Sequence, residues 1–124
     1  MQDHRRLRVW IRGHALAVAV RLLTRRFPRI GYTSLKEQMI RAAESIPFNI
    51  AEGCGASTQK EFGRFLDISI KSASELESEL ELAKDSRIVA DEEWDNLSTE
   101  VTGTRRMLCA LRRKVLGTPD DRAE

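Results

Sequence analysis

Two histidines, two cysteines and a run of glutamates are the side chains in this 124-residue sequence best suited to catalysis or metal binding. Their spacing assembles no site. A di-iron bundle places a glutamate three residues ahead of a histidine on each of two helices, and neither His4 nor His14 has one. Cys54 and Cys109 form no Cys-x-x-Cys pair. There is no His-Glu-x-x-His helix, phosphate-binding glycine loop or Gly-x-Ser-x-Gly elbow. Glu75, Glu77, Glu79 and Glu81 resemble a metal box only in linear order. On a helix Glu75 and Glu79 share one face while Glu77 and Glu81 share another, so the four cannot converge. They are expected to be solvated or to pair with arginines of another helix. His14, within an apolar stretch, reads as a packed side chain. The cysteines read as small buried hydrophobes in a reducing compartment. The chain is therefore expected to be no enzyme, with no catalytic residue, no metal and no cofactor.

A polar row in the segment Ser45-Ile46-Pro47-Phe48-Asn49-Ile50-Ala51-Glu52-Gly53 is less generic. Helical spacing puts Ser45, Asn49 and Glu52 together, beside the apolar Ile46 and Ile50. Asn49 and Glu52 follow a proline, so they can bond the carbonyl that Pro47 leaves without a donor, or reach across to Ser69. The first reading is a satisfied polar network around a kink. The alternative is a ligand or partner site.

Charge carries the other signal. The net charge of +2 suggests no partner, but its distribution does. Residues 1–41 hold ten Lys/Arg against two acids, residues 42–104 five against fourteen, and residues 105–124 six against three. Where such charges meet depends on the elements that carry them.

Those elements are four helices, expected at about 6–26, 34–53, 58–85 and 91–116, with residues 1–117 forming one domain and 118–124 a short disordered tail. In the first, Val9, Gly13, Leu16, Val20, Leu23 and Phe27 step by three and four, and Pro28 ends it. In the second, Leu35, Met39, Ala43, Ile46 and Ile50 make the seam, with a kink expected at Pro47. The third repeats Phe62, Leu66, Ser69, Ala73, Leu76, Leu80 and Ala83 over three heptads. The fourth carries Trp94, Leu97, Val101, Thr104, Leu108, Leu111 and Val115, and stops at Gly117 and Pro119. Ser34 with Glu37, and Thr58 with Glu61, have the form of capping boxes, and Asp91 is placed to cap the fourth helix. No segment alternates with the period of a strand. The fold expected is all-α, an antiparallel up-down-up-down four-helix bundle.

In that topology Arg5, Arg6, Arg8, Arg12, Lys60, Arg64, Arg112, Arg113 and Lys114 gather at one end. Acids from Glu77 to Asp95 gather at the other, partly offset by Arg25, Arg26 and Arg29. Such a basic end suits nucleic-acid phosphates, RNA or DNA. Without aromatic residues interleaved, binding would be backbone-led and poor in sequence preference. The competing reading is that these arginines are solvated and complement helix C-termini, leaving a protein-interaction scaffold that docks another protein.

The first helix also has more apolar surface than a bundle needs. Between His14 and Leu23 only His14 and Arg21 are plainly polar, whereas a bundle helix requires a stripe of roughly 100°. The excess is expected to meet a second copy of the chain in a homo-oligomer. Ala15 to Leu23 is far short of the roughly 20 residues of a membrane span, and no signal-peptide cleavage site follows. A cytoplasmic protein with no membrane contact is expected.

The Ser45–Gly53 string, with Val9-Trp10 before it and Lys60-Glu61-Phe62, Arg64-Phe65-Leu66, Glu75-Leu76-Glu77 and Leu80-Glu81-Leu82-Ala83 after it, resembles the four-helix bundle family of 23S rRNA intervening-sequence proteins over about residues 8 to 116. The resemblance implies a small bundle that assembles as a ring-like pentamer, with a biochemical role largely undefined. More distantly, the chain is similar to the accessory proteins of diversity-generating retroelements, basic pentamers that work with a reverse transcriptase and nucleic acid. It departs from them in its near-neutral total charge.

Overall fold

The structure is a computed structural model that describes residues 2–117, so the tail expected at 118–124 lies outside the described residues. All regular structure among them is helical. A 3-10 turn, His4–Arg6, precedes α1 (Arg8–Thr24), α2 (Thr33–Cys54), α3 (Gln59–Asp85) and α4 (Asp91–Leu116). None of these helices is long and apolar enough to cross a membrane. The first expected helix is therefore two pieces, because Leu7 adopts an extended conformation between the turn and α1.

Seam residues read from periodicity form the core. Val20, Met39, Ile46, Ile50, Leu66, Leu76, Leu80, Val101 and Leu108 are completely buried, each stabilising the fold by roughly 1.5–3 kcal/mol relative to exposure. Gly13 lets α1 approach α2 closely: a Cβ there would stand 3.1 Å from Ile46 Cγ2. Around the bundle α1 packs on α2 and α4, and α3 packs on the same two helices, so α1 and α3 lie on a diagonal. Contacts between helices join the close of α2 to the opening of α3, the opening of α3 to the close of α4, and the close of α3 to the opening of α4. Gly53 meets Phe62 and Phe65, Gly63 meets Leu116, and Lys84 lies over the Trp94 ring at 3.8 Å.

Helix ends differ from expectation. α2 begins at Thr33 with Tyr32 as its cap residue, and Ser34 Oγ accepts from the Gln38 side chain at 3.1 Å rather than from the Glu37 amide. At α3 half of the expected box forms. Thr58 Oγ1 accepts from the Glu61 amide at 3.1 Å, while the Glu61 carboxylate turns to Arg64. Ala90, not Asp91, occupies the cap position of α4, which moves Asp91 into the first turn beside Glu92 and Glu93. There the three carboxylates act on the helix dipole. α2 continues as helix through Pro47.

Candidate nucleic-acid interface

The N-terminal segment, the end of α2, the start of α3 and the end of α4 meet around one cleft, where Gln2, Leu7, Cys54, Gln59, Phe62 and Lys114 converge. Beside it Lys60, Arg64 and Arg112 share a second cleft with Thr58, Glu61 and Asp67. Of the nine basic residues expected to gather, Lys60, Arg64, Arg112 and Lys114 line these two clefts, and four of the nine are committed within the chain. Arg5 Nε donates to Asp3 Oδ1 at 3.0 Å and holds the Asp3 carboxyl below its usual range. Arg64 donates to Glu61 at 2.7 Å, lowering that carboxyl and raising the guanidinium. Arg112 pairs with Asp67.

Arg12 departs furthest from its expected place. Its guanidinium lies on Gly103, where a Cβ would collide with it, and donates to Glu100 Oε2 at 3.0 Å and to Met107 Sδ at 3.4 Å. It is packed between α1 and α4 rather than offered to a phosphate. Pairs this exposed are screened by solvent and add little to stability; what matters here is that each cancels a positive charge. Arg6, Arg8, Lys60, Arg113 and Lys114 are exposed and make no ion pair among the described residues.

One aromatic feature escaped the sequence reading. Trp10 is flanked by both histidines, its ring centroid 4.8 Å from His4 in edge contact and 4.8 Å from His14 in a stack. Trp10 and His14 stand four apart on α1, a spacing legible in sequence; His4 joins them only because the 3-10 turn folds the N-terminus back. His14 is exposed, not packed in the core.

The polar row is split. Asn49 Nδ2 donates to the Ser45 carbonyl at 2.8 Å and to Ser45 Oγ at 3.0 Å, and Ser72 Oγ donates to Ser45 Oγ at 2.7 Å. Ser69 Oγ crosses from α3 to α2, reaching the Ile46 carbonyl at 2.9 Å rather than Asn49 or Glu52. Glu52 is exposed and takes no part. Ser45, through Ser72, thus ties α2 to α3, while the bonds of Asn49 stay within α2.

Of the glutamate run, Glu77 accepts from Thr102 Oγ1 at 2.9 Å and Arg105 Nε at 2.5 Å, as pairing with another helix required. Glu79 was not foreseen. Its Oε1 is buried without a hydrogen-bond donor, in a cleft lined by Gln38, Arg41, Ser45, Ser72 and Glu75. Burial, with Glu75 nearby, pushes its carboxyl up to about 7. No group of three or more His, Cys, Asp or Glu among the described residues is placed to hold a metal ion. Cys54 is buried and Cys109 half-buried, both as thiols.

A family model described as 23S rRNA-intervening sequence protein matches residues 5–110. Among curated proteins nothing matches. Among solved structures, a protein of unknown function from the S23 ribosomal protein family of Bacteroides thetaiotaomicron superposes with a TM-score of 0.80 at 23% identity, covering 85% of this chain and 98% of that one. That likeness is one of fold.

Proposed function

Because the chain belongs to the 23S rRNA-intervening sequence protein family, we propose that it is a non-enzymatic, cytoplasmic homo-oligomer that grips the phosphate backbone of RNA or DNA through the basic end of an antiparallel, up-down-up-down bundle. The observation that carries this reading is the set of Arg6, Arg8, Lys60, Arg113 and Lys114, exposed and without an intramolecular partner among the described residues. In a ring-like pentamer, the assembly implied by the family resemblance, the same set recurs on every subunit, and phosphate attraction grows with the number of charges engaged. Cations on flexible side chains position a backbone without reading bases.

The test is a salt series with generic single- and double-stranded RNA and DNA. If about six phosphates are engaged, affinity falls by roughly 10³ between about 50 and 200 mM salt. Arg113→Ala with Lys114→Ala is expected to weaken binding equally across sequences and to lower the salt slope. No binding at low salt ends the proposal. A second reading, a scaffold that docks another protein, is favoured by the internal commitment of Arg5, Arg12, Arg64 and Arg112. It requires that the double variant keep its cellular function.

A further inference from the structure

We infer that the outward face of α1 docks on the outward face of α3 in a second copy of this chain, joining copies head to tail. This rests on the oligomer reading above and names the two surfaces that reading needs.

The α1 face is an apolar strip turned to water. Ile11, Val18 and Leu22 are 52%, 49% and 54% exposed. With Ala15 between them they fall at steps of three and four, one continuous line along the helix. Arginines rim it on both sides, Arg8, Arg12 and Arg26 along one edge and Arg21 and Arg25 along the other. No acid is available nearby in sequence, since residues 4–36 contain none. Arg12, Arg21 and Arg26 are paired with Glu100, Glu44 and Glu93 of the same chain. Arg8 and Arg25 have no such partner among the described residues.

The α3 face has the matching character. Ile68 and Leu82 are 36% and 56% exposed and stand two heptads apart on one row, with Glu75 midway and Glu79 alongside. Lys71 is the one cation in the row, toward its start; Glu81 and Asp85 surround its far half. Glu79 Oε1 is buried and lacks a donor. An orphaned buried carboxylate oxygen is costly, and an arginine from outside would supply both donor and counter-charge.

The two faces cannot cover each other within one chain, because α1 and α3 sit on a diagonal of the bundle, and Arg41 of α2, though it lines the Glu79 cleft, makes no hydrogen bond to Glu79 Oε1. Complementary patches on two different surfaces of one body give a heterologous joint. A self-matched joint is disfavoured either way, since α1 on α1 brings arginines together and α3 on α3 brings glutamates together.

The decisive measurement is mass by sedimentation equilibrium for two variants, Leu22→Glu and Leu82→Arg, with helicity checked by circular dichroism. Both positions are half-exposed, so the fold is expected to survive; Val18→Lys and Glu79→Arg replace any variant that loses helicity. Each variant alone is expected to fall to the mass of one chain. Mixed, they retain one live face of each kind and are expected to form a one-to-one dimer and nothing larger. A Leu82→Arg protein that assembles like the parent, or a mixture that stays single, overturns the pairing of faces while leaving the oligomer reading intact. A parent chain that is itself monomeric overturns both.

Discussion

Burial and the neighbouring Glu75 lift the Glu79 carboxyl from 4.5 to about 7, whereas in the unfolded chain it keeps its ordinary value. Between those values the folded state holds a proton that the unfolded state has released, so folding stability declines as pH rises. The contribution is whole below about 4.5 and gone once pH has climbed through about 7. Discounted for partial solvent access, it amounts to roughly 1–2 kcal/mol. In the Leu22→Glu background, which keeps the chain single, urea unfolding is expected to show a loss of that size from pH 5 to pH 8. Glu79→Gln is expected to flatten the profile and to exceed the parent's stability at pH 8; an unchanged profile would refute the assignment. Nothing in the sequence marked this carboxyl. The glutamate run divides between helix faces as spacing requires, but which face closes over with Gln38, Arg41 and Ser72 depends on how α3 lies against α2. Arg12 eluded the sequence for a similar reason. Its type and position suit phosphate contact, and only the proximity of Gly103 on α4 shows that it is packed.

Helix by helix, periodicity gave the seams, because burying an apolar stripe outweighs everything local. Ends were less legible, because a cap contributes only about 1 kcal/mol and neighbouring hydroxyls and carboxylates compete for it. Thus α2 starts at Thr33 where spacing predicts Ser34 as the cap, and Asp91 enters α4 rather than capping it. The close of α3 shows a feature with no sequence signature. Arg87 has φ 61, its amide bonds to the Lys84 carbonyl at 2.9 Å, and the Ile88 amide bonds to the Ala83 carbonyl at 3.2 Å. This left-handed end suits glycine, and a side chain there costs about 1 kcal/mol. Arg87→Gly is expected to stabilise the protein by about 1 kcal/mol in thermal or urea unfolding; a loss would show that the side chain has an unrecognised role. At Gly53 the sign reverses. A Cβ would stand 2.7 Å from the Phe62 ring, and overpacking of roughly 1–3 kcal/mol exceeds the helix-propensity gain of about 1 kcal/mol. Gly53→Ala is expected to lower the melting temperature. Ser69→Ala, which orphans no backbone donor but removes the bond to the Ile46 carbonyl, should cost about 1 kcal/mol, well below the roughly 2–5 kcal/mol expected for Leu66→Ala.

Across the whole molecule the segregation of charge, readable along the sequence, underlies two proposed surfaces: the basic set offered to phosphate, thinned by internal pairs, and the oppositely charged flanks of α1 and α3. The second follows from the bundle's diagonal and could not be drawn before the helices were placed. It yields a test in which folding and assembly respond to pH with opposite sign. When an arginine of a neighbouring copy reaches Glu79, the ionised carboxylate is favoured and its proton is released on docking. Association therefore binds fewer protons than separation and strengthens as pH rises toward and through about 7, by up to roughly tenfold per unit at each joint. Glu75 and Arg41 face the same cleft, and Glu75 opposes ionisation in the separated chain. His14 flanks the α1 face, so the comparison is made against Glu79→Gln, which leaves the histidine in place. Sedimentation at pH 6 and pH 8 is expected to show tighter assembly of the parent at pH 8 and a smaller difference in the variant. If parent and variant gain equally, the proton comes from elsewhere, and Glu79 is not the group that a second copy completes.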